Sequence, residues 1–316
     1  MAKKRLLLSV FLTMLAVLLH AQDSETVFNF LRLPVSAHAA ALGGENVTLT
    51  DDDASLVFHN PALLTNVSDR SMGLNMMTYM QGSITGSASF SRTLGERASW
   101  GVQGRFINFG EMKETTYDNQ DLGTFHAKDF ALGGTFAYRL SDYFSGGVTA
   151  KLVASYIASY NSMGAAVDLG LNYYNPDSEW SVSAVARNLG GQLTTYEDDF
   201  ERMPIDLQLG VTKRLIGSPL RFSGALTRLN NWEYGIGRHL VFGADLLLSE
   251  QIYVAVGYNS MRASEMKIKS GEEESNHGAA LSLGAGLTLD RLQLHVAYGK
   301  YHVSSTSLMI NFSYKL

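Results

Sequence analysis

From Arg70 to Leu316 the chain alternates apolar and polar residues with little relief. The final stretch puts Leu308, Ile310, Phe312, Tyr314 and Leu316 on one face and Ser307, Met309, Asn311, Ser313 and Lys315 on the other. Earlier, Leu292, Leu294, Val296 and Tyr298 oppose Arg291, Gln293, His295 and Ala297, and Ile205, Leu207, Leu209 and Val211 oppose Asp206, Gln208, Gly210 and Thr212. A period of two sustained over this length specifies half-exposed strands rather than helices. Two containers accept it: a soluble sandwich with the apolar face inward, or a membrane barrel with that face toward lipid.

Three features favour the barrel. The polar face is crowded with Gly, Ala, Ser and Thr, with single charges at Arg105, Arg139, Lys151, Asp168, Arg187, Asp206, Arg221, Asp245 and Arg291. Such a face suits a filled or wet lumen, where these charges pair with one another or with a plug, because unpaired charge away from water is costly. The strands have the length that a tilted strand needs to cross a bilayer. The connections also alternate. About fourteen strands start near residues 70, 83, 98, 127, 143, 164, 179, 205, 219, 238, 251, 277, 291 and 305. Tight turns at Gly95-Glu96-Arg97, Ser141-Asp142, Asn175 to Ser178, Ile216-Gly217-Ser218, Ser249-Glu250 and Leu289-Asp290 interleave with longer loops at Asn108 to His126, Asn188 to Pro204 and Ser260 to Asn276. Outer-membrane barrels pair short periplasmic turns with long external loops. The expected fold is thus an all-β membrane protein, a single antiparallel transmembrane barrel in contact with outer-membrane lipid, closed so that no strand edge meets lipid.

Composition narrows the chemistry. The chain has 316 residues, a net charge of -5 and no cysteine. A disulfide framework, a thiolate metal site and a lipid-anchored N-terminal Cys are excluded. No basic patch invites nucleic acid. Residues 1–21 read as a secretory signal, with Lys3, Lys4 and Arg5 before the apolar run Leu6 to Leu19 and a cleavage site after Ala21. Residues 70–316 are the barrel, and residues 22–69 do not alternate. Within them Ser36 to Leu42 predicts a short helix capped by Ser36 and stopped by Gly43-Gly44. Small residues suit a segment packed inside a lumen, so 22–69 is expected to be a plug.

The stretch "FLRLPVSAHAAALGG" followed by "TLTDDDASLVFHNPALL" resembles the N-terminal region of the PorV/PorQ group of type IX secretion system proteins. These share the FadL-like barrel fold. The resemblance rests on Leu33, Pro34, Ser36, Ala37, Ala40, Ala41, Leu42, Gly43 and Gly44, and on Asn60, Pro61 and Ala62. It implies a non-enzymatic outer-membrane component whose external loops anchor a surface attachment complex, with a PorZ-like soluble partner and PorU- and PorV-like proteins in the same assembly. The alternative within the same fold is a FadL-like channel for a hydrophobic small molecule, which needs an apolar pocket and a lateral gap where a strand kinks; Gly133-Gly134 and Gly146-Gly147 are candidates for such a kink.

No catalytic, metal or cofactor constellation stands out. Asp51-Asp52-Asp53 reads as a solvated acidic turn, although clustered carboxylates also suit Ca²⁺. His38, His59 and His126 lack ligand spacing, no Gly-x-Ser-x-Gly elbow precedes a helix, and the glycines at Gly133-Gly134 are followed by strand rather than by a phosphate-binding helix. Partner-binding candidates are the loop aromatics Tyr117, Phe125, Trp232 and Tyr234, the acidic run Tyr196, Glu197, Asp198, Asp199 and Phe200, and Glu272, Glu273 and Glu274. Aromatics beside charge suit an interface core and rim.

Overall fold

A computed structural model describes residues 26–316 apart from Gln81, Asn119, Trp232, Tyr234, 271–272, 276–277 and Ser304, with backbone alone at 268–270 and 273–275. The signal expected at residues 1–21 lies outside the described residues. The alternating segments form β1 (Ser71–Thr78), β2 (Ile84–Leu94), β3 (Ala98–Thr115), β4 (Asp121–Arg139), β5 (Phe144–Ile157), β6 (Tyr160–Asn175), β7 (Trp180–Thr194), β8 (Asp206–Arg214), β9 (Leu220–Leu226), β10 (Leu240–Leu247) and β11 (Ile252–Asn259). A small hairpin of β12 (Ile268–Ser270) and β13 (Glu273–Ser275) follows, and the wall resumes with β14 (Leu281–Thr288), β15 (Leu292–His302) and β16 (Ser305–Lys315).

Every wall strand pairs antiparallel with its neighbour, and β1 pairs with β16 from Ser71↔Lys315 to Met77↔Met309, closing a fourteen-stranded barrel. The period of two becomes the wall's two faces. On β1, Met72, Leu74 and Met76 are exposed while Ser71, Asn75 and Met77 are buried; on β16, Leu308, Ile310 and Phe312 are exposed while Ser307, Asn311 and Ser313 are buried. The apolar face therefore points outward, as in a transmembrane barrel and opposite to a sandwich. Outward Tyr138, Phe144, Trp180 and Tyr314 mark the short-turn end, the position of an interfacial aromatic girdle. No helix among the described residues is long and apolar enough to cross a membrane.

Two of the expected long loops begin as strand. β3 and β4 keep pairing to Thr115↔Asp121, so residues 108–115 and 121–126 form the two arms of a tall hairpin, because backbone pairing continues past the point where apolar alternation stops. β7 runs to Thr194 against β6, which leaves the loop to start at Thr195 rather than Asn188. The glycine pairs proposed as kinks do not bend the wall: β4 and β5 pair without a break from Ala127↔Ile157 to Arg139↔Ser145. Register shifts lie elsewhere: between β3 and β4 from Asn108 to Glu111 and at Glu114 to Thr115, between β15 and β16 from Gly299 to His302, and between β6 and β7 at Met163 to Gly164 and again where Asp168 faces both Arg187 and Asn188 and Asn188 takes φ 60.

Candidate functional site: the filled lumen and the outer rim

Residues 26–69 lie within the wall and cross the lumen from end to end. Val27 N donates to Arg202 O at 3.0 Å at the long-loop end, and Phe28, Phe30 and Leu31 pack on the inward Ile107 and Val153. Arg105 of β3 donates to the carbonyls of Phe30 and Leu33 and stacks 4.8 Å over the Phe30 ring. After Pro34, Ser36 Oγ accepts from Ala39 N at 3.4 Å and starts helix α1 (Ala37–Ala41). Gly43 (φ 101) and Gly44 (φ 95) end it, with Gly44 N donating to Ala39 O at 2.8 Å. Left-handed backbone at these two positions is what glycine permits. Ala39, Ala41 and Leu42 are fully buried and Leu33 packs at their edge.

Small wall residues admit this segment. A Cβ on Gly257 of β11 would collide with the Leu42–Gly43 backbone, and one on Gly147 of β5 with Pro61. The Asn60-Pro61-Ala62 element is thus a packing joint. Asn60 Oδ1 accepts from Ala62 N at 3.0 Å and caps the 3₁₀ turn Pro61–Asn66, while its Nδ2 donates to Val47 O at 2.9 Å and to Ser183 Oγ on β7 at 3.2 Å.

Charges complete the fit. Arg187 of β7 bridges Glu45 at 2.8 Å and Asp206 at 2.7 Å. Arg221 of β9 bridges Asp51 and Asp245, each at 2.7 Å. Lys151 meets Asp168 at 2.7 Å and Asn188 at 2.6 Å, and Arg139 donates to Thr65 O. The buried lumenal charges are therefore engaged by one another or by the segment, as unpaired burial would require; Arg139 and Arg291 are exposed, Arg291 in a turn.

Asp51-Asp52-Asp53 is not a solvated turn. Asp51 takes the Arg221 and His38 contacts, Asp52 binds Lys315 and Ser68, and Asp53 caps the 3₁₀ turn Ala54–Phe58 through Ser55. These carboxylates are engaged by cations and N–H groups, and no cluster able to hold a metal is present among the described residues.

His38 Nδ1 lies 3.0 Å from Asp51 and Nε2 2.8 Å from Asp245, and its ring stacks on Tyr253 at 3.8 Å. Burial disfavours its imidazolium, but Asp245 and Asp51 outweigh that and hold its pKa above the usual histidine value. Burial likewise pushes Asp51 up, and Arg221 with His38 brings it well below the usual carboxylate range. His59 is the opposite case. Its Nε2 accepts from Val35 N and Ser36 N, each at 3.3 Å, and burial, with the positive charge of Arg187 and Arg105 nearby, lowers its pKa to about 3. It is a neutral structural acceptor.

At the long-loop end, the run Tyr196 to Phe200 lines a groove of about 700 Å³ with Ile157, Tyr160, Glu201 and Arg202. Glu197, Asp198, Asp199 and Phe200 are exposed, whereas Tyr196 is half-buried because its hydroxyl donates to Ser155 and its ring packs on the inner cluster. Tyr117 is fully exposed at the β3–β4 tip, and Phe125 sits within β4, half-buried opposite Met112 rather than in a loop. Neither lines the groove. Trp232, Tyr234 and Glu272 lie outside the described residues; Glu273 and Glu274 are on β13. Sequence reasoning missed Ile157 and Tyr160, whose nearness to the acidic run depends on a β5–β6 hairpin reaching beside it. It also missed Glu45, an isolated acid whose partner Arg187 is remote in sequence.

No family model matches the chain, and no curated protein matches it. Solved structures do. A TodX monoaromatic hydrocarbon channel carrying the deltaS2S3 change aligns at TM-score 0.60 and 11% identity, over 90% of this chain and 99% of that one. The Pseudomonas putida toluene transporter TodX aligns at 0.57 and 13%, over 92% and 98%. A Pseudomonas aeruginosa FadL homologue aligns at 0.56 and 11%, over 90% and 99%. At these identities the likeness concerns architecture: the chain has the fold of a FadL-like transmembrane barrel.

Proposed function

We propose that this chain is a non-enzymatic outer-membrane barrel whose external loops hold a surface protein, a PorZ-like partner in an assembly of the PorV/PorQ type. The observation that carries this reading is the filled lumen. Between the inner segment and the wall, the cavity bounded by Leu31, Phe58, Arg105, Lys151 and Arg187 measures about 20 Å³, room for about one water. The rim groove supplies the docking surface, with four carboxylates at Glu197, Asp198, Asp199 and Glu201 beside exposed Phe200 and Tyr160.

The second reading is a channel for a hydrophobic small molecule, and the structural comparisons speak for it more directly than for docking, since TodX is a monoaromatic hydrocarbon channel and toluene transporter. It starts from a cavity of about 290 Å³ at the long-loop mouth, between Thr26 and Arg32 of the segment and Gly190, Gly191, Met203 and Ile205, and requires the segment to shift deeper in the lumen, where the cavity beside Leu31 and Arg187 measures about 20 Å³.

One experiment separates them. Affinity capture from native membranes is run with the wild type and with Glu197–Glu201 replaced by Gly-Ser residues, and toluene uptake is measured for the same proteins in liposomes. Docking predicts a stoichiometric partner that is lost with the replacement, and no uptake. Uptake above that of empty liposomes, with no partner captured, overturns docking in favour of the channel.

A further inference from the structure

Past Arg187 the wall has an open edge. β7 pairs with β8 only from Trp180↔Lys213 to Arg187↔Asp206, yet on its other side it stays paired with β6 as far as Thr194. The chain ahead of β8 does not extend that ladder. It is held by side chains of β7 instead: Asn188 Nδ2 donates to Pro204 O at 2.8 Å, and Glu201 N donates to Gln192 Oε1 at 2.6 Å. Arg202 bridges to Thr26 of the inner segment. Residues 189–194 therefore carry a backbone ladder on one side only among the described residues.

The direction of the free groups follows from the β6–β7 seam. Ala165 O lies against Gly190, and Gly191 O lies against Gly164, so both carbonyls point into the seam. Ala165 and Gly191 face each other there. Gly190 and Gln192, one residue to either side, then direct N–H and C=O away from β6. A cavity of about 290 Å³ runs along this edge, between Gly190 and Gly191 and the stretch Phe200 to Met203. It shares Phe200, Glu201 and Arg202 with the acidic rim groove. From Trp180 in the aromatic girdle to Leu189 the strand runs roughly 30 Å, about 23 Å of height once tilted, close to the ~25 Å of an apolar band. The edge thus stands at the external mouth and not in hydrocarbon, where unpaired backbone is untenable.

We propose that the edge at residues 189–194 takes up an extended basic segment of the surface partner as an added strand. This rests on the docking reading and states how the partner is held. Strand addition supplies the backbone partners that Gly190 and Gln192 lack. Alternate side chains of the added strand point to opposite faces, so apolar ones reach Phe200 and Met203 while lysine or arginine meets Glu197, Asp198 and Asp199 on the rim. A second copy of this chain is disfavoured, because pairing two such edges would bring like-charged acidic runs together. A small apolar molecule would fill the cavity but leave the backbone groups unmet.

The probe is a capped peptide of alternating valine and lysine, added to the full-length barrel in detergent, with hydrogen exchange read amide by amide. At ten times the peptide Kd, the Gly190 and Gln192 amides are expected to exchange about eleven-fold more slowly. Two further peptides carry backbone N-methyl groups on every lysine or on every valine. An added strand pairs through one of its edges, so one methylated peptide is expected to lose the protection and the other to keep it. A valine–glutamate peptide is expected to bind at least ten-fold more weakly. Absence of protection, the same outcome with both methylated peptides, or equal binding of the glutamate peptide overturns the proposal. Capture of a surface partner from native membranes that leaves these two amides unprotected also overturns it while docking stands; edge protection by the peptide with no partner captured overturns docking and leaves the edge as a strand acceptor.

Discussion

Asp51 of the inner segment and Arg221 of β9, far apart in sequence, meet at 2.7 Å inside the wall, and Arg221 carries Asp245 at the same distance on its other side. One guanidinium thereby neutralises a carboxylate of the segment and a carboxylate of the barrel. Replacing Arg221 by Met leaves Asp245, which is 1% exposed, with only His38 as a cation. The expected loss is about 3 kcal/mol, the lower end for breaking a buried pair, read as a lower urea midpoint of the folded barrel in detergent. Arg221→Lys, which keeps the charge but not the fork, should fall between the two.

The His38 contacts make the same joint depend on pH. Because its folded pKa is raised, its contribution is full below the ordinary histidine value of about 6.5 and is lost as pH climbs through the raised one. Asp51 has the opposite sign: its lowered pKa makes its contribution full above about 3.8 and lost as pH falls through the lowered value. Backbone hydrogen exchange over residues 37–44, corrected for intrinsic rate, is expected to be slowest in mild acid and to quicken on the alkaline side. His38→Gln should flatten the alkaline limb.

Gly147 and Gly134 offer a matched pair. Gly147 faces the lumen against Pro61, whereas Gly134 faces outward with nothing within 4 Å of an added Cβ. Gly147→Leu is expected to cost about 1–3 kcal/mol as an overpacked joint and to raise ion conductance across planar bilayers as the segment is displaced. Gly134→Ala should change neither stability nor conductance, and conductance equal in the two variants would argue that Gly147 is not a seat for Pro61.

Asn60→Ala removes a cap and two buried donor contacts at once, to Val47 O and Ser183 Oγ. The expected destabilisation is about 2 kcal/mol. Limited proteolysis within residues 45–66 should quicken while the wall stays resistant.

The wall was legible because its two environments force a period of two, and Leu308 to Leu316 reads as a lipid-facing edge from residue types alone. The α1 turn was legible because Ser36 and Gly43-Gly44 are local signals whose geometry needs no tertiary partner. Strand ends were harder: β4 begins at Asp121, ahead of the position near 127, because Leu122 to His126 pair through backbone without alternating. That the lumenal charges pair was legible from the cost of burying them alone, but which acid meets which base was not. That Glu45 finds Arg187, or Asp51 finds Arg221, is fixed by the register of strands far along the chain, and neither acid differs in local sequence from a solvated one. The rim groove was half legible: its acidic run is visible, but the Ile157 and Tyr160 side comes from a neighbouring hairpin.

The seam between β1 and β16 has a consequence for how the molecule is made. The first wall strand finds its partner only in the last, and it begins right after the residues that occupy the interior. Sealing the seam first would leave those residues to be threaded past rows of buried carboxylates and guanidinium groups that have no counter-charge yet. Synthesis order avoids this: the interior residues emerge ahead of every strand, so the wall can be laid around them as staves are laid around a former. The ladder from Ser71 to Met77 against Lys315 to Met309 is then the last to form, and a chain stalled before it would present an open-sided sheet with its filling already in place.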